Sequence, residues 1–212
     1  MIPRIASLLI GYLFGIFQTA YFYGKMNGID IREHGSGNAG TTNALRVLGK
    51  KAGAIVFVGD FLKCFLVIHL VKLIFNNMAA DILPLVGLYA ATGCILGHNF
   101  PIQLGFRGGK GIACTAGLLA AFDIRIGVIA LVTFLAIVII TRYVSLGSMV
   151  IVTEFALFII IFGQLGLYHM AQAPLIEMYV LAAFLAGMAI YRHRANIVRL
   201  LNGTENRIFE KK

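Results

Sequence analysis

Long apolar runs without charge constrain this chain more than any other feature of its sequence. The run at residues 5–23 contains no charged side chain, and a helix that spans a bilayer needs about 20 apolar residues. Because 59% of the residues are hydrophobic and only 13% are charged, we exclude a soluble globular protein and expect an all-α integral membrane protein. Five further runs, each bounded by Gly, Pro, Asn or charged residues, lie at 52–75, 82–97, 125–141, 146–163 and 175–191.

A shorter apolar segment at 111–122 decides the predicted topology. Its length of about 12 residues gives roughly 18 Å of helix, which also suits a re-entrant piece. If it crosses, 14 of the 18 Lys and Arg residues lie on one side and 2 on the other, with Lys63 and Lys72 inside a span. If it does not cross, the split is 8 to 8, which no orientation preference would produce. We therefore predict seven transmembrane helices in a single domain, 1–212, with the N-terminus outside and the C-terminus cytoplasmic.

The first polar stretch contains nine consecutive small or amide-bearing residues at 35–43. Glycines permit positive φ and close approach of the backbone, so successive N–H groups can converge on an anion while hydroxyl and amide side chains add donors. The pattern favours a phosphate-binding nest over the alternative, a flexible loop whose basic edge meets anionic lipid head groups. The candidate substrate-binding residues are Ser36, Gly37, Asn38, Thr42, Asn43 and Arg46.

The second polar stretch ends in a glycine-rich turn that leads directly into the short segment at 111–122. One Lys in such a turn at a helix N-terminus can hold a phosphoryl group together with the backbone dipoles. The Walker A spacing is absent, so nucleotide hydrolysis is not indicated. The alternatives are a membrane-edge turn with a snorkelling Lys and, for the nearby His98, either a structural or a catalytic role. The candidates here are Gly108, Gly109, Lys110 and Gly111.

A third cluster joins Arg142 and Ser145 to the C-terminal tail. If the tail is helical, residues 193, 196 and 199 recur every three positions and share one face; a basic helix on anionic lipid is the alternative. Inside the second span, Asp60 and Lys63 stand three residues apart and can pair, which offsets the cost of a charge in the bilayer. The cysteines show no CxxC spacing, so we predict neither a disulfide nor a metal site.

Four ordered motifs carry a resemblance to a known family. They are GSGNAGTTNALRVLGKKAG, GHNFPIQLGFRGGKG, RYVSLGS and HRANIVRLLNGTE, and with the apolar spans between them the chain resembles the bacterial acyl-phosphate:glycerol-3-phosphate acyltransferase family. The chain departs from the family pattern at Cys64, where Gly is usual, and at Cys114, where Thr is usual. The resemblance implies polar site residues at Ser36, Arg46, Lys110, Arg142, Ser145, His193, Asn196 and Glu205.

The resemblance implies a multi-pass enzyme of the bacterial inner membrane with its active site on the cytoplasmic face. Such an enzyme transfers a fatty acyl group from acyl phosphate to the sn-1 hydroxyl of glycerol 3-phosphate, giving lysophosphatidic acid and phosphate. It needs no cofactor or metal, binds membrane lipid but no nucleic acid, and is expected to couple functionally to the enzyme that makes acyl phosphate. The residues predicted to be catalytic are His193, Asn196 and Glu205.

The proton of the attacking hydroxyl can go to His193 or to substrate phosphate, which titrates near pH 6 by analogy with phosphoserine; we favour the substrate, because neighbouring cations disfavour a protonated histidine. The rival functions are a transporter or flippase for a phosphorylated molecule and a lipid scaffold. Transporter sites lie near the bilayer midplane between repeats, whereas these motifs are predicted to share one face of the membrane.

Overall fold

The computed structural model describes residues 1–208, and this part of the chain is helical without any strand. The all-α prediction is therefore confirmed for the described residues. Residues 209–212 lie outside them, and with them Lys211 and Lys212 of the charge count. The α-helices are α1 (Ile2–Gly15), α2 (Thr19–Met26), α3 (Thr41–Leu48), α4 (Lys50–Phe75), α5 (Leu83–Asn99), α6 (Ile112–Phe122), α7 (Ile124–Thr141), α8 (Val144–Gln164), α9 (Gln172–Arg192) and α10 (Arg194–Leu201).

Six segments of the described chain are long and apolar enough to cross a membrane. They coincide with the six long runs of the sequence and establish a multi-pass membrane protein. Helix α6 has 11 residues, fewer than the length that a simple crossing needs, so its crossing stays a prediction. The six segments are Ile2–Met26, Lys50–Phe75, Ala80–Leu104, Ile124–Thr141, Val144–Gln164 and Gln172–Arg192.

The first span is not the continuous helix that its hydropathy suggests. Helix α1 ends at Gly15, and α2 begins at Thr19 after Gln18 adopts an extended conformation with φ −103° and ψ 92°. Neither Pro nor a charge marks this interruption. Side chains from elsewhere in the chain bond the carbonyls that the break releases, as described below for Lys63.

The residues Met1–Phe122 form one compact unit. Helix α1 packs closely on α5, where Gly11 and Gly93 face the backbone of the opposite helix. A methyl group at Gly11 would overlap the carbonyl of Ala90, and one at Gly93 would overlap that of Leu8. Small residues thus let the two helices approach closely, which is the usual basis of helix packing in membranes.

The first polar stretch is folded rather than flexible. Its second half forms α3, and Ile31, Ala39 and Ala44 are fully buried in a small apolar cluster with Val56 of α4. This stretch is therefore not the flexible loop that the alternative assumed. Its glycine-rich part is fixed to the helical unit at both ends.

The residues Asp123–Lys212 form the second compact unit. Helix α8 packs on both α7 and α9, and its apolar side includes the buried Phe155 and Ile159. Glu154 of α8 accepts a hydrogen bond of 3.1 Å from the hydroxyl of Thr133 in α7. This bond gives Glu154 a partner that its sequence neighbours do not supply.

Candidate functional site

Asn43 organises the glycine-rich turn of the first unit. Its Oδ1 accepts the backbone N–H of Ser36 at 2.8 Å, and its Nδ2 donates to the carbonyls of Ile31 and His34 at 3.1 and 2.9 Å. Gly35, with φ 61°, packs on this amide. Asn43 is 1% exposed, so its side chain fixes the conformation of the turn from the buried side.

The other predicted residues of this turn lie nearer to solvent. Ser36, Gly37 and Arg46 are exposed, while Asn38 and Thr42 are half-buried. Helix α3 begins at Thr41, immediately after the turn. The first N–H groups of a helix have no partners within it and favour an anion. In the turn itself the N–H groups of Ser36, Gly37 and Gly40 already donate within the protein, so the start of α3 is the backbone feature that suits an anion.

The second glycine-rich turn rests on His98, in the last turn of α5. The Gly109 N–H donates to the carbonyl of His98 at 3.1 Å. A methyl group on Gly108 would overlap that carbonyl, and one on Gly109 would overlap the ring atom Nε2. Gly111, with φ 79°, ends the turn over the buried Asn99. Lys110 lies between these fixed points and is half-buried.

The structure brings these two glycine-rich turns together within the first unit. Arg32 donates from Nη1 to the carbonyl of Leu104 at 3.2 Å, and a methyl group on Gly109 would lie 2.7 Å from the carbonyl oxygen of Ala39. Asp30 holds Arg32 through bonds to Nε at 2.9 Å and Nη2 at 2.7 Å. The hydrogen bonds from Arg32 lower the pKa of Asp30 to about 2.

Asp60 and Lys63 form the predicted ion pair, with 2.8 Å between Lys63 Nζ and Asp60 Oδ1. Both are buried, and Thr19 also donates to Asp60 Oδ1 at 3.0 Å. Asp60, His98 and Cys114 each place a potential metal-ligand atom within 4.8 Å of the others. Lys63 Nζ bonds two of these groups, since it also lies 2.9 Å from His98 Nδ1. The Lys63 ammonium is therefore the cation that pairs with Asp60 and contacts His98 in this cluster.

Glu205 is the central acceptor of a polar cluster in the second unit. Its Oε1 accepts from Ser145 Oγ at 3.0 Å and from Asn196 Nδ2 at 2.6 Å, and its Oε2 accepts from Arg199 Nε at 2.7 Å. Of the positions 193, 196 and 199 that were predicted to share one helical face, 196 and 199 are confirmed by their common partner, while His193 precedes α10. Glu205, Ser145 and Asn196 are buried. The carboxylate therefore ties the C-terminal tail to the start of α8.

His193 lies at the junction where α9 ends and α10 begins. Its Nδ1 is 2.7 Å from the carbonyl oxygen of Ala189. A carbonyl can only accept, so Nδ1 carries a proton and Nε2 is the acceptor nitrogen of the neutral ring. This tautomer suits His193 to accept a proton at Nε2 or, once protonated, to donate from it.

Arg142 ends α7 in the left-handed conformation, with φ 62°. Its carbonyl accepts the N–H of Ile208 at 2.9 Å, and the residue is exposed. Together with Val138, Ile139 and Ile208 it lines a cavity of about 300 Å³.

Comparison with known proteins decides the family. A family model described as glycerol-3-phosphate acyltransferase matches residues 5–203. A glycerol-3-phosphate acyltransferase of Clostridioides difficile (strain 630) is 43% identical over 210 residues, which are 98% of this chain and 97% of that protein. The chain belongs to the glycerol-3-phosphate acyltransferase family. A relative from Bacillus cytotoxicus is 45% identical over 200 residues, covering 93% and 91% of the two chains.

Two solved structures agree with this membership of the acyltransferase family. The crystal structure of PlsY, an integral membrane glycerol 3-phosphate acyltransferase, in its glycerol 3-phosphate form has a TM-score of 0.83 at 33% identity, covering 97% of this chain and 95% of that one. The lysophosphatidic acid form gives 0.80 at 33% identity, covering 96% and 94%. The chain is thus an acyltransferase, and the transporter and scaffold alternatives are set aside.

Sequence reasoning missed several residues that shape this acyltransferase. Asp30 and Arg32 connect the two glycine-rich turns, and Gln18 donates to the carbonyls of Gly15 and His98 at 3.2 and 3.1 Å. Asp30 and Arg32 carry opposite charges two positions apart, and this spacing could have predicted their ion pair from the sequence. The sequence held no comparable signal for Gln18, which lies in an otherwise apolar run.

Proposed function

We propose that this acyltransferase transfers a fatty acyl group from acyl phosphate to the sn-1 hydroxyl of glycerol 3-phosphate, forming lysophosphatidic acid and releasing phosphate. One observation carries the proposal. The two glycine-rich turns of the first unit lie against each other, with the starts of α3 and α6 and the cation of Lys110 nearby. Such an arrangement of N–H groups and fixed charge suits phosphate groups.

Within this proposal, Ser36, Arg46 and Lys110 bind substrate phosphate together with the backbone of both turns. The relative PlsY has been solved in a glycerol 3-phosphate form and a lysophosphatidic acid form, which supports the same acceptor and product here. Asn43 acts mainly by shaping the first turn, since its amide bonds three backbone groups. Gly37, Asn38, Thr42, Gly108, Gly109 and Gly111 remain proposed binding positions.

Acyl phosphate suits this site as donor because it is a mixed anhydride whose phosphate leaves easily. Positioning and charge stabilisation can then supply most of the catalysis. For Arg142, Ser145, His193 and Asn196 of the second unit we propose the roles that the family resemblance implies, with Glu205 holding Ser145 and Asn196 in place. The protein is expected to receive acyl phosphate from the enzyme that makes it.

The destination of the hydroxyl proton has two candidates. The tautomer of His193 gives it an acceptor at Nε2, so the ring can serve as base. The same nitrogen, once protonated, can instead donate to a phosphate while substrate phosphate takes the proton. We favour substrate phosphate as the base, because it lies beside the reacting hydroxyl and titrates near pH 6 by analogy with phosphoserine.

We further propose a single domain over 1–212 in the bacterial inner membrane, with seven crossings, the N-terminus outside and the site on the cytoplasmic face. The distribution of Lys and Arg supports this orientation. Cysteines placed singly in the tail of a cysteine-free variant are expected to resist an impermeant thiol reagent added to intact cells and to react after lysis. Labelling from the periplasm would refute the orientation. The cysteine-free variant replaces Cys64, Cys94 and Cys114.

The reaction itself is tested with purified protein in detergent. Acyl phosphate and glycerol 3-phosphate together should give lysophosphatidic acid and inorganic phosphate in equal amounts, with the acyl chain at position 1. Acyl-CoA replaces acyl phosphate in a parallel reaction. Product formed only from acyl-CoA would contradict the proposed donor, and acylation at position 2 would contradict the proposed acceptor atom.

A further inference from the structure

The Lys63 ammonium is the centre of a buried hydrogen-bond cluster under the second glycine-rich turn. Besides the contact with Asp60, its Nζ donates to the carbonyls of Phe17 at 2.6 Å and Gly15 at 3.3 Å, where α1 breaks. Its fourth partner is His98 Nδ1, at 2.9 Å. The ammonium has three N–H groups, so they serve the three shorter contacts, and the longest contact, to Gly15, shares one of them. One side chain therefore joins the end of α1, the middle of α4 and the end of α5.

This contact fixes the state of the His98 ring. An ammonium can only donate, so His98 Nδ1 must be an acceptor and carry no proton. The proton of the neutral ring is then on Nε2, the atom that faces Gly109. The ring is 3% exposed, and the bond to Lys63 holds its orientation. Lys63 thus sets both the tautomer and the position of the imidazole.

His98 in turn carries the turn that contains Lys110. Its carbonyl accepts the N–H of Gly109 at 3.1 Å, and its ring fills the space that a side chain on Gly109 would need. Gln18 donates to the same carbonyl at 3.1 Å. A shift of the His98 ring or carbonyl therefore moves the residue that directly precedes Lys110.

We propose that Lys63 and His98 are positioning residues of the acyltransferase, and that the Asp60–Lys63 pair acts through His98 to hold the turn 108–111 in the conformation that binds substrate phosphate. The proposal rests on the proposed function only in assigning phosphate to this turn. Neither residue needs to contact substrate. The buried ion pair is thus part of the site's support, and its role extends beyond making a charge tolerable in the membrane.

This role predicts a specific kinetic change. If the turn occupies its binding conformation in only a tenth of the molecules, the apparent affinity falls tenfold. Saturating substrate then restores the conformation, so KM rises while kcat changes much less. A residue that contacts the reacting atoms would instead lower kcat. KM is measured for glycerol 3-phosphate and for acyl phosphate, each with the other saturating, and a rise of about tenfold is expected for the substrate held by this turn.

The test variant is Asp60→Asn/Lys63→Met. Lys63→Met alone would leave the carboxylate of Asp60 buried without its cation, a change that usually destabilises strongly, whereas removing both charges is often tolerated. The carbonyls of Gly15 and Phe17 also lose the Lys63 donor in the double variant, so faster hydrogen exchange is expected at the break between α1 and α2 as well. Thr19 still has an acceptor on the introduced amide. The matched control is Lys72→Met, on the same helix. Lys72 lies nine positions farther along α4 and donates to the carbonyl of Ala121 at 3.4 Å, so this variant should keep wild-type KM.

Hydrogen exchange gives a readout that does not depend on catalysis. The Gly109 N–H is protected by its bond to the His98 carbonyl, so the peptide covering 105–111 should exchange faster in the double variant than in wild type or in Lys72→Met. Peptides from α4 and α9 should keep their wild-type exchange. Faster exchange throughout the chain would overturn a local positioning role.

His98→Asn tests the same link with both charges retained. The Asn Oδ1 can replace Nδ1 as acceptor for Lys63, but the ring atoms that support Gly109 are lost. We expect the same faster exchange at 105–111 and the same rise in KM, whether or not the double variant folds. Unchanged exchange and unchanged KM in His98→Asn would overturn the proposal. If wild type transfers no acyl group but His98→Asn still exchanges faster at 105–111, the positioning role is supported and the proposed function is contradicted.

Discussion

Replacing Glu205 tests the polar cluster of the second unit most directly, because three side chains depend on this carboxylate. Glu205→Gln keeps an oxygen for Ser145 and Asn196 but turns an amide N–H₂ toward Arg199 Nε, so a donor faces a donor. A hydrogen bond to a charged group contributes about 1.5 to 3 kcal/mol. The Arg199 side chain is 35% exposed, and solvent screening reduces this to about 1 kcal/mol of stability. Because Arg199 acts on the site only through Glu205, kcat/KM should fall by no more than roughly fivefold.

Glu205→Ala should be much more damaging. It leaves the Ser145 hydroxyl and the Asn196 amide without their acceptor, and each residue is 7% exposed. An unsatisfied buried donor costs about 1 to 3 kcal/mol. Two such donors, added to the lost Arg199 contact, predict at least a hundredfold loss of kcat/KM and a lower Tm, because the tail is no longer held at the start of α8.

The assay is lysophosphatidic acid formation from acyl phosphate, with thermal unfolding measured on the same detergent-purified samples. The matched control is Glu154→Gln, the same substitution on α8 at a carboxylate that accepts from Thr133 and is not among the site residues. It should retain wild-type kcat/KM. Equal activity of the Gln and Ala variants of Glu205 would refute the reasoning, since the predicted order depends on the two buried donors.

Three further outcomes are expected. Lys110→Met and Arg46→Met should each lower kcat/KM about tenfold or more with the protein still folded, because charge-assisted phosphate contacts are lost; near wild-type kinetics in both would contradict the phosphate sites. His193→Asn should keep substantial activity and the acidic limb of the pH–rate profile if substrate phosphate is the base, whereas a loss of about 10² together with that limb would identify the histidine. Asp30→Asn should lower Tm at neutral pH. The pKa of Asp30 is about 2 in the folded protein and about 3.9 in the unfolded chain, so the difference in Tm from wild type should disappear as pH falls from 4 to 2. A difference in Tm that persists below pH 2 would show that the charge of Asp30 is not its cause.

The sequence was sufficient where the physical signal is local. Hydropathy located the six long spans, and the spacing of Asp60 and Lys63 identified their ion pair, because residues three apart meet on a helix surface. Glycine-rich composition correctly identified two turns that lie together. The resemblance supplied most of the functional assignment, since the residues alone indicated only a membrane protein that handles phosphate.

The sequence was insufficient where a role depends on a partner far along the chain. Asn43 looked like one more donor of the nest, but it bonds backbone groups at positions 31, 34 and 36. Glu205 was predicted to be catalytic, but its position as the common acceptor of Ser145, Asn196 and Arg199 follows only from the structure. Such contacts follow from the arrangement of helices, which no local pattern of residues encodes.

The break between α1 and α2 shows this limit most clearly. An interrupted helix exposes backbone carbonyls, and in a membrane each unsatisfied group costs several kcal/mol, so an apolar run without Pro is expected to continue as helix. Here Lys63 and Gln18 bond the carbonyls of Gly15 and Phe17, which removes that cost. The chain can then turn under the second glycine-rich loop and bring Thr19 to Asp60. Hydropathy treats Asp60 and Lys63 only as a penalty in the second span. In the structure their hydrogen bonds permit the first span to break.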